Sequence, residues 1–321
     1  MKIASVIVTF NRLEKLKLTV QKTLDEEINY LIIINNASTD ETKKWLDSLL
    51  DYRLRIIHLE TNIGGAGGFH VGFKEVTDNT DADWLVCYDD DAYPQKDSIK
   101  LFKSIALPKE AGSIAAAVYS PNHQIVNMNR PGINPFWHWD RVISFLFHGR
   151  KSIHIQDNMY HTEQYYEIDA SSFVGYFVQT DIVKTVGLPR KELFIYADDV
   201  LYTLQVRKAG FKHYFFPTLK FIHDCNTIIQ DNKTISPLWK VYYIYRNNLE
   251  LYRMMAGIFF YPLALVKIFS WWRKEKHYNN PVLYKKILFT AIKDAFKKDF
   301  SKSHVEILTL CTPLDCEEKL L

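Results

Sequence analysis

The sequence predicts an α/β protein in which a Rossmann-like sheet carries helices on both faces and a helical C-terminal region follows. Three observations predict it. Short apolar, β-branched runs alternate with helical stretches through the first third of the chain, the pattern of βαβ units around a parallel sheet. Each apolar run ends in a polar or glycine-rich motif, and open α/β sheets hold ligands beyond the carboxyl ends of their strands. From Pro237 onward the pattern is helical and strongly aromatic.

The elements follow in order. Ile3–Phe10 reads as a buried strand, and Asn11 as the cap of a helix over Arg12–Leu24. Tyr30–Ile34 is a second buried strand whose polar tail, Asn35–Asp40, leads into a helix over Glu41–Leu50. Leu54–Leu59 is a third strand, followed by the glycine-rich stretch Asn62–Phe69. Trp84–Tyr88 is a fourth, ending in Asp89, Asp90 and Asp91. Ala115–Val118 reads as a strand, and Ser120–Lys151 as a long functional loop or small insertion. Regularity returns at Tyr165–Val178, with a helix at Asp181–Val186. A further helix runs from the Asp198-Asp199 pair to about Ala209 and stops at Gly210. Phe211–Phe216 and Lys220–His223 read as two short strands. The expected division is a sheet domain over 1–235, in two parts, 1–120 with the regular strand–helix alternation and 121–235, and a basic, aromatic helical region over 236–321.

Composition narrows the function. With 321 residues, 47% hydrophobic and 24% charged, the chain can bury a sizeable core. A net charge of +3 gives no electrostatic basis for a nucleic-acid partner. Cys87 and Cys225 stand alone, Cys311 and Cys316 lack a second ligand pair at zinc-like spacing, and Met1–Phe10 runs straight into a strand; a reduced, cytoplasmic setting is expected. Met254–Trp272 comes nearest to a membrane span but is interrupted by Pro262 and Lys267.

The chemistry sits at the strand ends. Three adjacent carboxylates repel one another unless a cation compensates, and Asp89 and Asp91 fall on one side of an extended backbone, as a divalent ion on a diphosphate requires. A solvated acidic turn is the bland alternative; position at a strand end favours the metal. Gly64, Gly65, Gly67 and Gly68 offer backbone N–H groups and close approach to a phosphate. The stretch lacks the Lys-Ser/Thr ending of a P-loop, which disfavours ATP hydrolysis. Asp198 and Asp199 stand at the mouth of a helix, where one carboxylate caps and the other is free to act as a general base. His223 ends an apolar run and would complete a metal site, although a lone histidine is more often a bonded core residue.

Taken together, Ser5–Arg12, Asn36–Asp40, Asn62–Phe69, Asp89–Asp91 and Phe194–Asp199 resemble the ordered motifs of glycosyltransferase family 2 over roughly Lys2–Asn226. Gly187–Tyr202 is similar to its bacterial galactofuranosyl- and rhamnosyltransferase branch. The resemblance implies a GT-A fold and a metal-dependent, inverting transfer of a hexosyl group, galactofuranose or galactose, from a UDP-sugar to a glycan or glycolipid acceptor in bacterial surface polysaccharide synthesis. A dTDP-rhamnose transferase, or a non-catalytic carbohydrate- or nucleotide-binding relative, is the alternative. Carried over by position, Thr9, Asn11, Arg12, Asn35, Asn36, Asp89 and Asp90 would join the four glycines around the donor. Asn35 stands where many relatives place an Asp against the pyrimidine. Asp89, Asp91 and His223 would hold Mn²⁺ or Mg²⁺, Asp199 would be the base with Asp198 beside it, and Leu201 replaces a third acid. Trp137, Trp139, Phe173 and Gly175 are the candidate acceptor residues.

Trp239–Tyr252, with Tyr242, Tyr243, Tyr245, Arg246, Asn247 and Asn248, resembles a segment downstream of the catalytic domain in this branch. Trp271–Lys302 carries nine Lys/Arg against Glu275, Asp294 and Asp299, interleaved with aromatics. It reads as an anionic-membrane surface for a peripheral protein, or equally as a helix with a solvated basic face, with room for homo-oligomer contacts.

Overall fold

A computed structural model describes residues 1–138, 153–225 and 234–312. The chain forms two compact units, one of Met1–Lys191 with Asp199–Asn226, the other of Glu192–Asp198 with Thr227–Leu321.

The first unit is a nine-stranded mixed sheet. In chain order its strands are β1 (Ile3–Thr9), β2 (Tyr30–Asn35), β3 (Leu54–His58), β4 (Trp84–Asp89), β5 (Ala92–Pro94), β6 (Ala111–Tyr119), β7 (Tyr166–Ile168), β8 (Tyr176–Gln179) and β9 (Lys212–His223). The spatial order is β3-β2-β1-β4-β8-β6-β9-β5, with β7 on β9. β1 to β4 are parallel, whereas β8 runs antiparallel to β4 and β6. The apolar runs are unbroken because both faces are covered. Ile3, Ile7, Leu31 and Ile33 point into one core with Leu16 and Val20 of helix α1 (Leu13–Leu24). Val6, Val8, Ile32 and Ile34 point into the other with Phe69, Phe73 and Val76. Alternation along each strand sends neighbours to opposite faces.

Local structure differs from the sequence reading in several places. Asn11 caps no helix: its backbone is left-handed (φ 54), its carboxamide oxygen accepts from Thr39 N at 2.7 Å, and Arg12 takes the cap position. The second helix, α2, is short, Thr42–Asp47, with Asp40 accepting from Thr42 N. The glycine-rich stretch is not a loop. Gly64 begins a 16-residue helix, α3 (Gly64–Asn79), whose glycines let it lie close on β1. A Cβ on Gly68 would stand 2.4 Å from Val8 Cγ1, and one on Gly72 2.3 Å from Val6 Cγ1. The remaining helices of this unit are α4 (Ser98–Ser104), α5 (Thr180–Val186) and α6 (Asp198–Lys208), the last starting from the Asp198 boundary. The two expected strands over Phe211–His223 are one, β9, with a register shift against β6.

In the second unit α7 (Trp239–Ala256) packs against α8 (Phe260–Trp272), α9 (Pro281–Lys297) and α10 (His304–Leu310). Its core is aromatic: Tyr245 stacks on Trp271 with centroids 4.4 Å apart, and Tyr284 OH donates to Trp271 O at 2.8 Å. Trp271 and Tyr284 are therefore core residues and not a membrane face. Buried Asp294 accepts from Tyr242 OH and Lys302 Nζ. Pro262 does not break the helical run, because it lies in the first turn of α8, where its missing N–H has no partner to lose. Trp239–His277 is a 39-residue run of helical residues, turned at Gly257 (φ 51), that by length and composition alone would suffice to cross a bilayer. Exposed apolar side chains collect on α8: Tyr261, Leu265 (69% exposed), Val266 and Phe269 (64% exposed).

Candidate active site

Strand register assembles the site. Pairing sets Thr9 beside Asn35, Asn35 beside His58, and Val8 beside Asp89, so the polar ends of β1 to β4 form one edge. Antiparallel pairing of β5 with β9 aligns Ala92 with His223, which brings His223 to the residue just before, Asp91. Asp224 N donates to Asp91 O at 2.8 Å and fixes this corner. Ligand atoms of Asp89, Asp91 and His223 thereby lie within 4.8 Å of one another.

His223 fits a cation. Its Nδ1 meets Asn129 Oδ1 at 2.8 Å, and Asn129 Nδ2 donates to Ser172 Oγ at 2.8 Å, which orients the amide. Nδ1 therefore carries the proton, and in the neutral ring Nε2 presents a lone pair to Asp91 Oδ1, 3.2 Å away. Asp91 Oδ1 is itself buried without a hydrogen-bond donor when that ring is neutral. Two lone pairs face each other unless a proton or a metal ion lies between them. Two carboxylates and an imidazole suit a divalent cation.

The same crowding shows in the acidities. Burial pushes Asp89 up to about 6, with the charges of Asp91 and Asp199 adding to the rise and that of His223 opposing it. Burial also lifts Asp90 to about 6 against the pull of Arg12. Asp91 is buried too, but its bond to His223 and the charges of His223 and Arg12 hold it below the usual carboxylate value. His223 is lifted by Asp91 and Asp89 despite its burial. Asp199 is raised to about 6 by burial, partly offset by backbone N–H donors from Val200 and Phe173. Val200 N lies 2.7 Å from Asp199 Oδ1.

Several predicted donor residues are bonded to one another. Asp90 Oδ2 accepts from Thr9 Oγ1 at 2.8 Å, and Arg12 Nη1 reaches Asp90 Oδ1 at 3.2 Å and Asp91 Oδ2 at 2.8 Å. Asn35 lies between Ser38 N, which donates to its Oδ1, and His58 Nδ1, itself backed by Asp47. Asn36 ties Asn62 and the Gly64 carbonyl to the end of β2 and accepts from Ile63 N. Gly65 stands in the first turn of α3, where a Cβ would meet nothing within 4 Å, whereas the N–H of Gly64 (φ 77) is taken by Asn62 Oδ1 at 2.8 Å and is not the phosphate donor the sequence suggested. Gly67 and Gly68 are buried in packing.

The acceptor candidates are not brought together. Phe173 is 3% exposed, packed between Phe69 and Phe73, and only its N–H faces Asp199. Gly175 is a buried turn (φ 69) pressed on Ala116 and Phe221. Trp137 is partly exposed on a 3-10 turn, and Trp139 lies outside the described residues. Sequence reasoning missed Asn129, Ser172 and His58. They act through tertiary hydrogen bonds and carry no local pattern.

Comparison with known proteins adds a family. Residues 5–165 match the sequence model of glycosyl transferase family 2. The chain is 24% identical over 232 residues to a galactofuranosyltransferase, GlfT1, of Mycolicibacterium smegmatis, covering 70% of this chain and 72% of that one. Among solved structures it resembles S. aureus TarS in complex with UDP-GlcNAc (TM-score 0.52, 13% identity, 98% of this chain and 77% of that chain). It also resembles the mannosyltransferase PcManGT from Pyrobaculum calidifontis in complex with GDP-Man and Mn²⁺ (TM-score 0.52, 12% identity, 99% of this chain and 80% of that chain). The fold is GT-A.

Proposed function

The chain belongs to glycosyl transferase family 2, and we propose that it moves a hexosyl group, galactofuranose or galactose, from a UDP-sugar to a carbohydrate acceptor with inversion at the anomeric carbon. One observation carries this reading: Asp89, Asp91 and His223 converge at the strand ends within electrostatic reach of the half-buried Asp199 carboxylate. Likeness to a galactofuranosyltransferase supports the sugar.

In this reading Asp199, raised to about 6, is a base matched to neutral pH. It takes the proton of an acceptor hydroxyl as that oxygen bonds the anomeric carbon. The bond from that carbon to the diphosphate oxygen breaks, and its electron pair leaves with the nucleotide. Asp89, Asp91 and His223 would hold a divalent cation, which would supply positive charge to the departing diphosphate. Gly65 presents its N–H group to the phosphates, and Asn35 meets the base. A lipid-linked acceptor and peripheral attachment at the inner face of the cell membrane complete the proposal, supported by the exposed apolar side chains of α8.

The test is a panel of nucleotide sugars with Mn²⁺, watching donor hydrolysis and transfer. Turnover of UDP-galactofuranose or UDP-galactose is expected. Turnover of dTDP-rhamnose alone would move the donor assignment, and turnover of none would favour a binding protein. Calorimetry with UDP should show affinity that EDTA weakens; equal affinity in both would remove the metal.

A further inference from the structure

Arg246 and Asn247 are wholly buried polar side chains on α7 that the proposed chemistry does not use. Arg246 Nε donates to Asn247 Oδ1 at 2.9 Å, which orients the amide so that its Nδ2 points away from α7. That nitrogen lies 3.0, 2.8 and 2.9 Å from the carbonyl oxygens of Leu193, Ile195 and Tyr196. Arg246 Nη2 adds the carbonyls of Glu192, at 3.1 Å, and Leu193, at 3.0 Å. The guanidinium is seated against the rings of Tyr242, Tyr243 and Phe300. Two adjacent side chains thus gather four carbonyls of one short segment.

The segment they gather is strained. Phe194 (φ 66), Tyr196 (φ 70) and Ala197 (φ 61) all have left-handed backbone, and none is Gly, Asn or Asp. Side chains with a Cβ avoid this region, and bulky ones avoid it most. Such a run persists only where its surroundings over-determine it, and strain of this kind gathers at functional sites. The next residues in the chain are Asp198 and Asp199. A turn of peptide held at its carbonyls fixes where the following helix begins, and with it the direction of the first carboxylates.

We propose that Arg246 and Asn247 are positioning residues that hold Leu193–Ala197 in its strained form and so set Asp199 for proton removal. The inference rests on the reading of Asp199 as the base. It assigns a catalytic consequence to a helix remote in sequence from every motif at the strand ends.

The experiment compares Asn247→Ala, Arg246→Lys, Asp199→Asn and the pair Asn247→Ala/Ala197→Gly in the full chain. Transfer kinetics are read beside UDP affinity with Mn²⁺ and the thermal midpoint. Asn247→Ala should lower kcat about 10- to 100-fold, the scale of a misplaced catalytic group, with donor KM and UDP affinity changed less than about twofold. Arg246→Lys keeps the charge without the planar fork and should fall between it and wild type. Glycine at 197 relieves the left-handed strain and should restore several-fold of the lost kcat. A normal kcat in Asn247→Ala and Arg246→Lys, with Asp199→Asn inactive, overturns the positioning role alone. Full activity in Asp199→Asn overturns the base assignment beneath it. Equal loss of kcat and UDP affinity, without rescue at 197, means a merely structural contact and also overturns it.

Discussion

At the scale of residues, protonation decides what the site does. As the proposed base, Asp199 must be a carboxylate to accept a proton, and burial raises it to about 6, so log(kcat/KM) should fall by one per pH unit below about 6 and flatten above it. Asp199→Asn should lose 10²-fold or more of transfer while keeping UDP affinity, and with Mn²⁺ and donor saturating, so that Asp89 and Asp90 are held ionised, the acid limb should vanish from its residual rate. A surviving limb means that another group titrates; normal transfer here with loss in Asp198→Asn means the two roles are exchanged. Asn129 sets the tautomer of His223, leaving Nε2 for a cation. Asn129→Ala should weaken Mn²⁺ binding about 10- to 100-fold, read by electron paramagnetic resonance of free Mn²⁺ without any turnover. Unchanged affinity would show that His223 orients itself. Asp89 and Asp91 were legible as polar residues at the end of an apolar run, and Asp199 as a carboxylate at the mouth of a helix. Asn129 was not, because a loop residue without periodicity shows its partner only after folding.

At the scale of elements, α3 and β1 depend on missing side chains. A Cβ at Gly72 would press on Val6 at 2.3 Å, and the β-branched valine, buried in the same core, has little room to turn. Gly72→Ala should therefore cost about 1–3 kcal/mol by overpacking, read in urea denaturation. Gly65→Ala meets open space and should be neutral or stabilising by up to about 1 kcal/mol. If Gly65 N–H faces the diphosphate, as proposed, the same variant should weaken UDP. Loss of stability at Gly65 with no loss of UDP affinity would contradict both statements. Four glycines among five residues read as a loop because glycine disfavours an isolated helix by about 1 kcal/mol each. Packing against β1 overrides that propensity, and no local pattern announces it.

At the scale of the whole molecule, the C-terminal third has its aromatics sorted. Trp271 and Tyr284 went into the core of the second unit, while Leu265, Val266 and Phe269 remained on the surface of α8. The proposed membrane attachment belongs to α8, with Arg273 and Lys274 following it in the chain. Co-sedimentation with anionic vesicles should show binding that falls with salt but leaves an apolar remainder. Leu265→Glu/Phe269→Glu removes two exposed apolar side chains, worth about 3 kcal/mol or more together, and should reduce partitioning more than tenfold without moving the thermal midpoint. If the pair leaves vesicle binding intact but dissolves a dimer seen in ultracentrifugation, the face joins two copies of the chain instead.

Sequence alone determined the sheet's first four strands, the family and the residues at its acidic edge, because buried parallel strands are continuous apolar runs and their polar ends are local facts. Tertiary structure decided the rest. It made one strand of Lys212–His223, since pairing with β6 tolerates a register shift that periodicity cannot foresee. It drew Glu192–Asp198 into the helical unit through Arg246 and Asn247. It also chose which aromatics face water, because a helix shows its buried side only when its neighbours are in place.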